Sequence, residues 1–168
     1  YLAFFPAFAF RYPWMFVTSI FLHANFSHLF FNMLALFFFG IYMERMVGRR
    51  AFMMLFFISG IVGNAGYMIT APYPLTPAIG ASGAVYGLVG TLATIAPFMI
   101  VFFGFVPLPM VGAAILWALL DLFGLFVPSG IAHGAHLTGL IVGVAFGLYL
   151  RLRAGRMSEA ESRLLGFS

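Results

Sequence analysis

Residues 80–90 read GASGAVYGLVG, an apolar stretch in which glycine recurs at positions 80, 83, 87 and 90. Glycines three or four residues apart share one face of a helix and let a second helix backbone approach closely. A second stretch, residues 136–147, reads HLTGLIVGVAFG and repeats glycine at every fourth position from 139. The two patterns together predict two helices that pack backbone to backbone.

The composition of the whole chain places these helices in a membrane. Of its 168 residues, 64% are hydrophobic and 7% are charged, whereas about 25% are charged in an ordinary soluble domain. This excludes a water-soluble globular protein. The basic residues are all arginines that flank apolar runs and form no basic face, so we expect no nucleic-acid partner. Cysteine is absent, which excludes a disulfide framework, a thiolate nucleophile and a Cys-ligated metal site.

The apolar runs predict an all-α, polytopic membrane helix bundle in a single domain over residues 1–168, with the bundle at 26–152 and a cytoplasmic tail at 153–168. A helix needs about 20 residues to cross the hydrocarbon. Five runs approach that length: Phe26–Met43, Ala51–Ile69, Ala81–Ile95, Met110–Val127 and Ile131–Leu152. The uncharged stretch Phe98–Pro109 is interpreted either as a loop or as a further span.

Arginine clusters orient the bundle. The clusters at 45–50 and 151–163 are separated by four predicted helices, so both lie on the same side, which the positive-inside rule makes cytoplasmic. The first, third and fifth helices therefore begin at the opposite, non-cytoplasmic face. We expect water to enter there, through an opening bounded by the loops 71–80 and 128–134.

Four polar residues share one depth near that outer face: His28, Asn32, Ser82 and His136. They are a potential nucleophile, a base and two hydrogen-bond donors for an oxyanion. If the glycine faces meet, Ser82 and His136 come within the roughly 2.6 to 3.2 Å that proton transfer requires.

Other interpretations stay open at this point. Ser82 also suits a packing serine, and His28 and Asn32 suit helix caps or bridges. Asp121 is a possible orienting partner of His136, but no spacing ties the two together, so we interpret Asp121 as satisfying helix or loop donors. A zinc site from His23, His28, His133 and His136 is conceivable, although the chain has no His-Glu-x-x-His pair, and we expect no metal.

Three motifs in order, Gly80-Ala-Ser-Gly83, His23 to Asn32 and Ala135 to Gly143, resemble the rhomboid intramembrane serine proteases. The resemblance extends from Pro13 to Leu152. The rhomboid core has six helices, of which five are readable here. The resemblance therefore implies that a first helix precedes Tyr1 and that residues 1–25 form a membrane-associated first loop.

The resemblance also implies a role for each site residue. Ser82 is the nucleophile and His136 the general base of a dyad. The oxyanion hole consists of His28, Asn32 and the backbone N–H of Ser82. Supporting roles fall to Tyr86, which stacks on His136, and to Gly80 and Gly83, which keep the backbone around the serine uncrowded.

The function expected from the resemblance is hydrolysis of peptide bonds in or near transmembrane segments of membrane proteins, through an acyl-enzyme and without a cofactor. The expected partners are transmembrane protein substrates and membrane lipids. We expect a multi-pass protein of the cell membrane whose active site opens to the non-cytoplasmic side. Two alternatives are an inactive rhomboid-like protein that binds membrane clients and, on weaker grounds, a small channel or transporter that uses the polar residues as a relay.

Overall fold

The computed structural model describes residues 1–127 and 129–164 and is mostly helical. The described part contains six α-helices and one two-stranded sheet. The helices are α1 (Met15–Thr18), α2 (Phe26–Val47), α3 (Arg49–Thr70), α4 (Ser82–Ile95), α5 (Met110–Gly124) and α6 (His133–Leu164), and the strands are β1 (Ile100–Phe103) and β2 (Val106–Pro109). This architecture confirms the predicted all-α bundle.

Helices α4 and α6 form the centre of the bundle, and their glycines set the distance between them. A Cβ atom on Gly139 would overlap the carbonyl of Gly83, and one on Gly143 would overlap the carbonyl of Gly87. Thr91 Oγ1 donates a hydrogen bond across this interface to the Gly143 carbonyl at 2.9 Å. The backbones therefore touch as the glycine spacing predicts, because any larger residue would hold them apart.

Several helix ends differ from the sequence predictions. Helices α2 and α3 are separated only by Gly48, whose φ of +81° allows a sharp reversal. Both therefore reach further into the arginine cluster than predicted, because long side chains extend to the interface without ending a helix. Helix α5 ends at Gly124, short of Val127, and α6 begins at His133, after Ile131.

The structure differs from the sequence predictions at two further places, residues 100–109 and the end of α6. Residues 100–109 are neither a loop nor a span but an antiparallel hairpin, in which Ile100 pairs with Pro109 and Phe103 with Val106. Helix α6 runs to Leu164, so the predicted end at Leu152 was wrong. Arginine, alanine, methionine and glutamate are good helix formers, so leaving the apolar run did not end the helix. Residues 165–168 of the predicted tail lie outside the described residues.

Membrane-crossing capacity varies among the five long helices. Helices α2, α3 and residues 133–156 of α6 are long and apolar enough to cross a membrane. Helices α4 and α5 are apolar but only 14 and 15 residues long. Helices of this length and composition support an integral membrane protein.

The N-terminal segment holds the loop that leads into α4. Phe4 is fully buried and exchanges two backbone hydrogen bonds with Ala78, at 3.0 and 2.8 Å. Further along, the Ser19 carbonyl accepts from the Gly80 N–H at 2.9 Å, and the Ser19 hydroxyl accepts from Asn64 Nδ2 at 2.9 Å. These bonds fix the point at which the chain enters α4.

Candidate active site

Ser82 and His136 meet at the outer ends of the two central helices. Ser82 is the first residue of α4, and His136 lies in the first turn of α6. The distance from Ser82 Oγ to His136 Nε2 is 2.8 Å, a normal hydrogen-bond length. Tyr86 stacks on the His136 ring with centroids 4.3 Å apart and planes 12° apart. The structure thus brings together three residues that the sequence analysis selected.

The start of α4 leaves its backbone amides available. The chain enters through Gly80, whose φ of +117° favours glycine, and the N-cap residue Ala81 has no side chain able to accept a hydrogen bond. The first amides of a helix have no partner within the helix, and they carry its positive dipole end. Negative charge that develops beside Ser82 therefore meets N–H donors.

His28 and Asn32, both on α2, lie beside Gly80. A Cβ atom built there would be 2.8 Å from His28 Nε2 and 3.9 Å from Asn32 Nδ2. His28 Nδ1 accepts from the Ala24 N–H at 3.3 Å, so a neutral ring carries its proton on Nε2, the atom that faces Gly80. Asn32 Nδ2 uses one hydrogen on the His28 carbonyl at 2.9 Å, which leaves a second N–H. Both residues are therefore donors near the serine.

His23 supports the same loop from outside the helices. Its Nε2 accepts from the Ala81 N–H at 3.5 Å, and its ring meets that of His28 edge to face, 5.0 Å between centroids. Burial, and secondarily the charge of nearby His28, lowers the pKa of His23 below its usual value. A neutral His23 ring can accept the Ala81 bond, and His23 thereby supports the loop that leads into α4.

Asp121 lies in the last turn of α5, and its contact with His136 was not predicted from the sequence. Its Oδ1 lies 2.9 Å from His136 Nδ1 and 2.6 Å from His133 Nδ1. His133 Nε2 in turn lies 2.7 Å from the Ser129 hydroxyl. The donors that Asp121 satisfies are therefore two imidazoles, one of which contacts Ser82. Two histidines three residues apart, just after a helix that ends near an aspartate, were the available signal.

The same cluster contains the ligand types of a metal site. Asp121, His133 and His136 offer ligand atoms that all lie within 4.8 Å of one another. Two imidazoles and a carboxylate suit zinc. His23 and His28 lie together beside the start of α4, so the four histidines do not form the single zinc site considered from sequence. In the structure, the carboxylate oxygen of the cluster is engaged by both imidazoles.

A cavity of about 380 Å³ opens between the α3–α4 loop and the α5–α6 loop, where the sequence analysis expects a water entrance. It is lined by Tyr73 and Thr76 from the first loop, by Ser129 from the second loop and by His133 at the start of α6. Its walls reach the cluster through His133. A much smaller cavity, of about 10 Å³, touches Ser82 from the side of Asn64.

Comparison with known proteins places this geometry in context. A family model described as "Rhomboid domain" matches residues 11–153. The chain is 37% identical over 130 residues to "Putative rhomboid protease YdcA" of Bacillus subtilis, which covers 77% of this chain and 63% of that protein. It is 35% identical over 131 residues to "Rhomboid protease GluP" of the same organism, covering 77% of this chain and 24% of the relative.

A third relative bears on whether the site is active. "Inactive RHOMBOID-like protein 8" of Arabidopsis thaliana is 35% identical over 79 residues, covering 47% of this chain and 22% of that protein. Similarity alone therefore does not separate active from inactive relatives, and the chain spans less than two thirds of the length of the first two relatives. The side chains at the site must carry the distinction.

Proposed function

The chain belongs to the rhomboid family, and from that premise we propose that it is an intramembrane serine protease. The observation that carries the proposal is the 2.8 Å contact between Ser82 Oγ and His136 Nε2 at the start of two central helices. An inactive relative has no need of a serine and an imidazole in proton-transfer geometry. The retained pair therefore favours catalysis over client binding alone.

The reaction proceeds through two acyl-transfer steps. His136 Nε2 accepts the Ser82 proton while Ser82 Oγ attacks the substrate carbonyl carbon. The resulting tetrahedral intermediate collapses as His136 gives the proton to the leaving amine, which leaves an ester on Ser82. Water, deprotonated by the same imidazole, then hydrolyses that ester and regenerates the serine. Tyr86 holds the imidazole by stacking through both steps.

Three groups stabilise the charged intermediate. His28 Nε2 and Asn32 Nδ2 lie beside Gly80, two residues before Ser82, and the Ser82 backbone N–H is the third donor. A pre-positioned donor contributes up to about 3 to 4 kcal/mol where water is excluded. Charge inside a membrane has no other source of solvation, so the intermediate depends on these donors.

The substrates proposed are transmembrane segments of other proteins. A helical peptide bond is shielded by its own turn, so a cleavable segment must unwind locally, and glycine, proline or polar residues near the outer interface favour this. We propose that the protein lies in the cell membrane. We also propose that its site opens to the non-cytoplasmic face, because the arginine clusters predict that the opposite side is cytoplasmic. The reaction described requires no cofactor or metal.

A fluorophosphonate probe in detergent or liposomes tests this function. We expect wild-type protein to be labelled and to cleave a transmembrane reporter substrate, and we expect Ser82→Ala and His136→Ala to lose both activities. Ser129→Ala is the matched control, because it removes a second serine hydroxyl that also contacts a histidine. Labelling that survives Ser82→Ala would refute the nucleophile. Reporter binding without cleavage or labelling by the wild type would favour the client-binding alternative.

A further inference from the structure

We propose that Asp121 is a positioning residue for His136, which orients the imidazole of the Ser82–His136 dyad and selects its tautomer. This inference rests on the proposed function for its catalytic consequence, but its geometry stands independently. Asp121 comes from α5, a helix that contributes none of the other site residues named above. It reaches the imidazole from the side opposite the serine, with Oδ1 2.9 Å from Nδ1.

The hydrogen bonds fix which nitrogen of His136 is protonated. An ionised carboxylate only accepts hydrogen bonds, so His136 must present an N–H at Nδ1 to Asp121. In the neutral ring Nε2 then carries a lone pair, and this is the atom 2.8 Å from the Ser82 hydroxyl. The opposite tautomer would place a proton between Nε2 and the serine, which could not then lose its own proton to the ring. Asp121 therefore selects the reactive form.

Because Asp121 is buried, its carboxylate depends on the hydrogen bonds that it accepts from the two imidazoles. Asp121 is only 4% exposed, and a buried carboxylate is costly unless it is hydrogen-bonded. The two imidazole N–H groups that converge on Oδ1 supply bonds to that oxygen, while Oδ2 is buried without a hydrogen-bond partner among the described residues. The same carboxylate lies next to the positive charge that His136 acquires when it takes the serine proton, and it stabilises that charge.

The imidazole is constrained on three sides. Asp121 holds Nδ1, Ser82 contacts Nε2, and Tyr86 covers one face. Rotation of the ring out of its plane would break all three contacts. Tyr86 alone allows the ring to turn within its plane, so the carboxylate is the group that sets the direction in which Nε2 points.

A merely structural role for Asp121 makes a different prediction. In that case the carboxylate serves to tie α5 to α6, and its shorter bond to His133 does most of this work. His133→Gln removes that imidazole and leaves the Asp121–His136 pair. If Asp121 only holds α5 and α6 together, the two substitutions should reduce activity by similar amounts. If Asp121 positions the imidazole, Asp121→Asn should reduce activity far more than His133→Gln.

Kinetics of three variants test the proposal. We expect Asp121→Asn to lower kcat on the reporter by about 10² to 10⁴-fold, with KM within about threefold, and to slow fluorophosphonate labelling of Ser82 in parallel. Glu44→Gln is the matched control, because it makes the same carboxylate-to-amide change at the far end of α2 and should leave kcat unaltered. An Asp121→Asn enzyme with kcat within threefold of wild type would overturn the proposal, as would a His133→Gln defect of equal size.

Nitrogen-15 NMR of histidine-labelled protein gives a readout that does not need activity or a folded Asp121 variant. We expect the His136 signals, identified by their loss in His136→Gln, to report a protonated Nδ1 and an unprotonated Nε2 in the wild type. A His136 protonated at Nε2 would overturn the proposal. If the wild type neither cleaves nor labels, the proposed protease function fails, while the tautomer still decides whether Asp121 positions the ring.

Discussion

Two serine–histidine pairs share the Asp121 carboxylate in this protein. Their contact distances are nearly equal, but the surroundings of the two serines differ. Ser82 contacts His136 at 2.8 Å, and Ser129 contacts His133 at 2.7 Å. Each histidine directs its Nδ1 to Asp121. A search for serine–histidine contacts would return both pairs without preference.

Their surroundings separate them. Ser82 begins a helix with unoccupied amides and faces His28 and Asn32 across Gly80. Ser129 is exposed on the α5–α6 loop, where its hydroxyl accepts from the Ile131 N–H at 3.3 Å. Proton transfer can activate either hydroxyl, but only the first has donors prepared for the oxyanion that follows. The comparison teaches that stabilisation of the intermediate, more than the dyad contact, identifies a catalytic serine.

The largest expected effect breaks the symmetry of the two histidines. His136→Gln should reduce reporter cleavage at least about 10³-fold, because the general base is lost. His133→Gln should reduce it less than about tenfold, since the Asp121–His136 bond remains. Steady-state cleavage in proteoliposomes measures both. Equal losses would mean that the two pairs act as one unit.

Removing an oxyanion donor should have the next largest effect. Asn32→Ala is expected to lower kcat about 10²-fold with little change in KM, because its amide acts mainly on the intermediate. Asn25→Ala is the control: the Asn25 side chain caps α2 by accepting from the His28 N–H at 2.8 Å, so its loss should lower the melting temperature and spare kcat. A normal kcat in Asn32→Ala would remove the main distinction between the two serines.

Packing of the central helices should matter for only one pair. A methyl group at Gly143 would overlap the Gly87 carbonyl, so Gly143→Ala should push α4 from α6 and slow Ser82 labelling about tenfold by misaligning Ser82 and His136. The melting temperature should also fall by several degrees. Gly155→Ala in the same helix meets nothing within 4 Å and should change neither quantity. Unaltered labelling in Gly143→Ala would show that the close contact is dispensable.

The smallest effect is expected at the second serine. Ser129→Ala should keep cleavage within about twofold of wild type, since the exposed hydroxyl has no part in the reaction and hydrogen bonds of this kind contribute about 1 kcal/mol. Mass spectrometry after fluorophosphonate treatment should find the adduct on Ser82. An adduct on Ser129 would contradict our ranking of the two pairs.

Local periodicity was sufficient to predict much of this fold. Glycine at every third or fourth position predicted the α4–α6 contact. This spacing is a property of single helices that any matching partner must accommodate. The hairpin at 100–109 was not predictable in the same way, because a short uncharged run has no periodicity that separates strand from loop.

The site, like the fold, could be predicted only as far as the properties of single helices determine it. Ser82, His28, Asn32 and His136 could be placed by depth along their helices. Asp121 could not be linked to His136, because the two lie 15 positions apart on different helices and the intervening loop decides how the helix ends meet. Rotation of α5 about its axis by one residue would carry the carboxylate about 100° away. Tertiary packing supplies that information.

The shortness of α5 has a consequence for the surrounding lipid. With 15 residues, α5 is about 22 Å long, against roughly 30 Å for the hydrocarbon layer of an ordinary bilayer. Its side chains Leu119, Leu120 and Phe123 are exposed, so the bilayer must thin beside them to match this helix. The fold therefore carries a hydrophobic mismatch, and the turnover of the protein should depend on bilayer thickness.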